Sequence, residues 1–240
     1  MNTICLLDTE TTGLSPATER VIEVAVTLFD LDTASPIQSF ASLIRHDSNA
    51  AENINNIPVA ALLKAPLPDQ VWKMVQSLTG AADIIIAHRV EFDQPFVEAE
   101  LLRSAIGKPT IPWVCSKFDL KWPKQTREGG SLVALALEHG LGVSSAHRAS
   151  TDVDILTRLF ARAHELGADL REMMKYGLRP KGKIQALVSY DDREQAKKAG
   201  FQWDGEKKIW TKRMALEDAE KLGFKWKRID GLEDPQQKML

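Results

Sequence analysis

Two acidic residues close the first apolar run of the chain: in LLDTETTGL, residues 6–14, Asp8 and Glu10 stand two apart. On an extended strand that spacing projects both carboxylates from one face, where like charges repel unless a proton or a cation lies between them. A hard divalent ion with oxygen ligands is the usual solution; the alternative is an ordinary pair of surface acids at a strand end. Asp93 follows the apolar run DIIIA (residues 83–87) and precedes Pro95. It reads either as a capping residue of a helix that Pro95 opens, or as an acid at the carboxyl end of a buried strand, where sites in such sheets collect. Asp152 has Ile155, Leu156, Leu159 and Phe160 at i+3, i+4, i+7 and i+8. It therefore lies at the top of a core-facing helical stripe, whereas Asp154 points away. An inward carboxylate needs a partner, unless it simply caps the helix. His147, five residues earlier and just ahead of the helix, reads on its own as an ordinary loop residue.

These residues need a scaffold to bring them together. Residues 4–8, 20–29 and 37–44 read as strands, and the short connections between them suit an antiparallel meander. The period then changes. Leu62 and Leu63 sit in a short helix after Pro58, and Asp69 followed by Val71, Trp72, Val75 and Leu78 reads as another. Residues 83–87 form a solid apolar run, as in a strand covered on both faces. Helices over 95–106, 131–138 and 149–166 and a short strand over 113–115 complete the pattern. Strands that are first antiparallel and then alternate with helices imply an α/β fold with a mixed sheet flanked by helices.

Pro and two Gly in YGLRPKG (residues 176–182) mark a boundary, which divides the chain into a domain over 1–170, a linker over 171–182 and a small module over 183–240. Within the module QAKKAGFQW (195–203) recurs as DAEKLGFKW (218–226), with five of nine positions identical at an offset of 23 residues. Each copy reads as a helix closed by a glycine cap, Gly200 or Gly223, that enters a strand whose Phe and Trp share one face. The module is therefore expected to be a small α+β unit.

Length and composition suit a globular protein of 240 residues with 44% hydrophobic and 27% charged residues. The formal net charge of −2 hides an asymmetry. Residues 1–170 carry 14 Lys and Arg against 21 Asp and Glu, a balance of −7, while residues 171–229 carry 16 against 9, a balance of +7. A basic segment of that size suits a polyanion or a solvated face. Trp203 and Trp210, set among lysines, could stack bases, or the tryptophans could instead fill a small core. The two cysteines, Cys5 and Cys115, lie in apolar runs and argue against a disulfide framework. No apolar run approaches the roughly 20 residues that span a bilayer, and no signal peptide is recognisable. The expectation is a cytoplasmic protein with no membrane partner.

Taken together, DTETTGL, AHRVEFDQPF and HRASTDVD closely resemble the three motifs of the DEDDh 3′–5′ exonucleases, which include the proofreading subunit of bacterial DNA polymerase III and have a ribonuclease H-like fold. The likeness covers about residues 3–166. WVCSKFDLKWP (113–123) is similar to the corresponding segment of small stand-alone members such as exonuclease X. The resemblance implies that Asp8, Glu10, Asp93 and Asp152 hold two Mg²⁺ or Mn²⁺ ions, that His147 is the general base, and that the 3′ end of a single-stranded nucleic acid is shortened to 5′-mononucleotides. It also places the turn from Thr11 to Leu14 beside the terminal nucleotide. Arg89 stands where many members have Asn, and would contact phosphate if it faces the site. An exoribonuclease of short RNA, or a catalytically silent nucleic-acid-binding protein, are the alternative functions, and a homodimer is a compatible assembly.

Overall fold

Nine residues of β1 (Thr3–Thr11) pair antiparallel with β2 (Val21–Asp30), which pairs antiparallel with β3 (Ser35–Leu43). In this computed structural model, which describes residues 1–126, 129–143 and 148–230, the chain then forms α1 (Glu52–Asn55), α2 (Val59–Leu62) and α3 (Pro68–Gly80). It returns as β4 (Ile84–Ala87), α4 (Val90–Arg103), β5 (Trp113–Cys115), α5 (Leu132–Glu138), α6 (Ala149–Glu165) and α7 (Leu170–Gly177). β4 and β5 add parallel to β1, so the sheet order is β3-β2-β1-β4-β5. This is the mixed sheet that the switch from alternating to helical periodicity implies.

The pleat divides the core. Ile4 and Leu6 of β1 pack with Ala25, Phe29 and the apolar faces of α5, α6 and α7, while Cys5 and Leu7 pack with Val24, Val26 and the inner faces of α3 and α4. Each fully buried Leu, Ile or Phe side chain contributes roughly 1.5–3 kcal/mol through removal of apolar surface from water. Asp8 and Glu10 continue the even-numbered face of β1, on the side of α6. Both cysteines are free and buried, and burial pushes the Cys5 thiol up to about 12.

Several boundaries differ from the sequence reading. α4 begins at Val90 rather than at Pro95, which lies inside it; Pro95 deprives only the Glu91 carbonyl of a donor, one turn from the helix start. The expected linker over 171–182 is instead mostly helix. Leu170, Met173 and Met174 of α7 join the core of the first unit, and Arg171 pairs with Asp32 at 2.6 Å. The chain divides into units at Leu178 and Arg179.

The second unit contains β6 (Lys181–Ala186), α8 (Arg193–Lys198), β7 (Gln202–Asp204), β8 (Ile209–Ala215), α9 (Leu216–Ala219) and β9 (Trp226–Arg228). Its antiparallel sheet has the order β7-β8-β6-β9. Ile184, Ala186, Ala196, Phe201 and Ala219 form its core, and Phe201 meets Phe224 edge-on at 5.6 Å. The two repeat copies end differently. Gly200 takes the left-handed conformation (φ 79°) that a glycine cap requires, whereas Gly223 is not among the positive-φ glycines of the described residues. Nor do Phe201 and Trp203 share an environment: the first is buried and the second is 52% exposed.

No helix among the described residues is long and apolar enough to cross a membrane.

Candidate active site

The carboxyl ends of β1 and β4 lie at the same edge of the sheet because the two strands are parallel. Asp8 and Glu10 emerge there. β1 runs on to Thr11, beyond the end expected at Asp8, and its register shifts between Glu10 and Thr11. Glu10 stands opposite Glu23 of β2. Glu23 is buried, and its carboxylate accepts from Arg148 Nε at 2.8 Å, Arg148 Nη2 at 2.9 Å and the Ala149 N–H at 3.2 Å. This charge-assisted pair holds the start of α6 against β2. Asp152, in the first turn of α6, is thereby set beside β1.

One oxygen from each of Asp8, Glu10 and Asp152 fits within a cluster whose atoms all lie within 4.8 Å of one another. Asp93 reaches the site from the other layer. It lies in the first turn of α4 and is buried. Its Oδ1 accepts from the Thr9 hydroxyl at 2.8 Å and the Thr9 N–H at 3.2 Å, rather than capping its own helix. All four acids line one open cavity of about 490 Å³. The lining also includes Arg89 and Lys117, so the charged residue that departs from the family pattern shares the cavity with the acids, with its guanidinium 6.0 Å from the Phe92 ring.

The electrostatics of the cluster are those of crowded, buried carboxylates that a cation would relieve. Asp8 is held well above the usual carboxylate range by burial first, then by repulsion from Asp93, Asp152, Glu10 and Glu23. Burial and repulsion, chiefly from Glu23, push Glu10 up to about 7, although Arg148 opposes this. Asp93 also rises to about 7, from burial, with its Thr9 hydrogen bonds pulling the other way. Hard oxygen donors of this number and proximity fit a divalent metal. His88 lines the same cavity and is neutral, its pKa lowered to about 4 mainly by burial. Its Nδ1 lies 3.0 Å from the Ser116 hydroxyl and its Nε2 3.3 Å from the Gly130 carbonyl.

His147 lies outside the described residues. Thr11 is buried, and its hydroxyl donates to the Gly13 carbonyl at 2.6 Å; Leu14, at the tip of the turn, is 86% exposed. A Cβ on Gly13 would sit 2.9 Å from the Glu19 carboxyl carbon, whose oxygen the Thr12 hydroxyl holds at 2.5 Å, so a larger residue there would displace the Glu19 side chain from that hydrogen bond. Trp203 and Trp210 belong to the second unit.

The residues that sequence reasoning passed over are Glu23, Thr9, His88 and Lys117. Glu23 had a signal: it is the one charge inside the strand VIEVAVTLF, and a charge in a covered strand needs a partner. Glu100 had a similar one. Buried on α4, it accepts from Arg20 Nε at 2.7 Å and from Arg103 Nη1 at 2.8 Å, and Arg103 also holds the carbonyl of Pro16 at 2.6 Å. Together these anchor the loop that follows the first two acids. Glu100→Ala leaves two partly buried guanidinium groups without their acceptor and is expected to cost about 3 kcal/mol, lowering Tm by roughly 6–12 °C in a thermal melt.

A mixed sheet in this order, with carboxylates gathered at the carboxyl end of its central strand, is a ribonuclease H-like fold. The family model for exonucleases, RNase_T, matches residues 5–160, and the chain belongs to this family, in its DEDDh 3′–5′ exonuclease branch. It is 31% identical to the DNA polymerase III subunit epsilon of Treponema pallidum over 160 residues, which cover 64% of this chain and 72% of that protein. It is 27% identical over 192 residues to the PolC-type DNA polymerase III of Staphylococcus saprophyticus, spanning 79% of this chain but only 13% of that polymerase. Among solved structures, a zinc-bound E. coli exonuclease I complex with single-stranded DNA superposes with a TM-score of 0.62 at 15% identity, covering 94% of this chain and 68% of that one. The nuclease domain of 3′hExo, a DEDDh family member bound to rAMP, gives 0.55 at 18% identity, covering 70% and 94%. Likeness at these identities concerns the fold. A second model, a domain of unknown function (DUF8626), matches residues 183–229.

Proposed function

We propose that this protein is a metal-dependent exonuclease that removes nucleotides from the 3′ end of single-stranded DNA and releases 5′-mononucleotides. The observation that carries the reading is the cluster of Asp8, Glu10 and Asp152 within 4.8 Å, in a cavity that Asp93, Arg89 and Lys117 also line. DNA is favoured over RNA because the relative of which the chain covers 72% is a DNA polymerase subunit.

Two divalent ions, Mg²⁺ or Mn²⁺, would supply Lewis acidity at the scissile phosphate and at the leaving 3′-oxygen. The chain's own residues do the remaining work. The four carboxylates hold the ions, and Thr9 fixes the Asp93 oxygen while the Arg148–Glu23 pair fixes the turn that carries Asp152. Arg89 and Lys117 meet the phosphate oxygens of the substrate, the guanidinium through paired N–H donors. His147 accepts the proton of the attacking water as its oxygen bonds to phosphorus and the bond from phosphorus to the 3′-oxygen breaks.

A 5′-labelled single strand incubated with the full chain and Mg²⁺ or Mn²⁺ should give a ladder of products shortened one nucleotide at a time, and EDTA should stop it. Strand binding with no metal-dependent shortening of DNA or RNA would refute the enzyme and support a silent binding protein. Faster digestion of a matched RNA would replace the DNA reading with the exoribonuclease one.

A further inference from the structure

The second unit spends its phenylalanines and its tryptophans differently. Phe201 is buried against Phe224, whereas Trp203, two residues on, is 52% exposed. Across the β7–β8 ladder Trp203 stands opposite Trp210, with ring centroids 5.4 Å apart at 56°. Trp210 packs its other side on the core of the unit, so it props up an indole that the core itself does not need. Tyr190, just ahead of α8, is 78% exposed, and the Arg193 guanidinium lies 3.9 Å over its ring. Lys197 lies 5.9 Å from the Trp210 ring. Between these groups is an open cavity of about 490 Å³, which Lys208 also lines, and none of the described residues lining it is acidic. That volume falls within the roughly 300–1,000 Å³ of small-ligand sites.

We propose that this cavity is a nucleotide-binding site for single-stranded nucleic acid: a base stacks on Trp203 or Tyr190, and neighbouring phosphates are held by Arg193, Lys197 and Lys208. Exposed aromatic faces beside cations are how single strands are held without regard to sequence, because every base has a π-face and every linkage a negative charge. Lys197 now pairs with Glu194 at 2.6 Å, an exposed contact that a phosphate can replace at little cost. The site occurs once in spite of the repeat. The positions 23 residues after Tyr190 and Trp210 are Arg213 and Glu233, and Trp226 of the second copy is partly buried against the core.

The test is the affinity of the full chain for a fluorescent oligothymidylate of about ten residues, a length within the range of known single-strand sites. It is read by anisotropy in EDTA, so the result does not depend on the catalytic reading: hydrolysis is stopped, and the metal-free acid cluster repels phosphate. Tyr190→Ala and Trp203→Ala should each weaken binding about tenfold, and Arg193→Ala with Lys208→Ala should flatten the dependence of affinity on salt. Tyr190→Ala changes a side chain outside the core, so its effect does not depend on how the unit folds. An oligonucleotide carrying 5-iodouracil should cross-link on irradiation to Tyr190 or Trp203, located by mass spectrometry. Unchanged affinity in both aromatic variants, cross-links confined to other residues, or equally effective competition by polyglutamate would each overturn the proposal.

Discussion

Asp8→Asn is expected to reduce nucleotide release by about a thousandfold or more while making the metal-free protein more stable. The substitution keeps the shape of the side chain and removes one charge from the cluster. On the catalytic side, an amide in place of a carboxylate ligand forfeits about 4 kcal/mol of transition-state stabilisation if the metals carry the reaction, and each 1.36 kcal/mol is a factor of ten in rate. On the stability side, Asp8 is repelled by Asp93, Asp152, Glu10 and Glu23 and is also desolvated. A neutral amide escapes both costs, and the gain should be about 1–2 kcal/mol at pH 7.5, within the range of single stabilising substitutions. The rate is read with the 5′-labelled strand and the stability by thermal melting in EDTA. A rate close to that of the unaltered chain would mean that Asp8 holds no metal. Loss of both rate and stability would mean that the acid serves the fold.

Melting temperature should respond to pH in opposite directions with and without metal. Glu10 and Asp93 titrate near 7 in the folded chain against ordinary values of 4.5 and 3.8, and Asp8 is raised as well. Between about pH 4 and 7 the unfolded chain has released protons that the folded chain still holds, so stability falls as pH rises through that window and the full cost is present above it. His88 opposes this by a single proton below 6.5, because its folded pKa is lowered to about 4; three acids outweigh it. Because the cavity opens to solvent, the metal-free protein should gain on the order of 1–2 kcal/mol on going from pH 7.5 to 6. Bound cations remove the repulsion. At a hundred times its dissociation constant, Mn²⁺ or Mg²⁺ adds about 2.7 kcal/mol, or roughly 5–10 °C in Tm at pH 8, and the benefit shrinks on acidification as protons compete for the carboxylates. Scanning calorimetry from pH 5.5 to 8, in EDTA and in metal, checks both slopes. Parallel slopes would exclude metal binding by these acids.

The acids could be read from the chain because their signals are local. The two-residue period of a strand puts Asp8 and Glu10 on one face, and the helical stripe through Ile155, Leu156 and Phe160 turns Asp152 inward while Asp154 remains exposed beside Arg158. What failed also failed for local reasons. Pro95 looks like a helix start, but tertiary packing extends α4 back to Val90 and sends Asp93 to Thr9. Pro and Gly in 176–182 suggest a linker and so end the first domain too early, at residue 170, although Leu170, Met173 and Met174 of α7 already carry the apolar stripe of a packed helix. Gly223 repeats the sequence of a cap without the conformation of one.

By itself, then, the amino-acid sequence indicated most strands and helices of the first unit through their periodicity, and the four candidate acids and the family through motifs a few residues long. Only the tertiary structure decided that Glu23 neutralises Arg148 beside the site, that Glu100 gathers Arg20 and Arg103, that Arg89 shares the cavity with the acids, and that Trp203 stands open while Phe201 is buried. Apart from the local Glu100–Arg103 pair, the ion pairs among them join residues 80 to 125 positions apart, 80 for Arg20 and Glu100 and 125 for Arg148 and Glu23. A charge in a sequence shows that it needs a partner, but which partner is settled only when the chain closes and water is excluded between them.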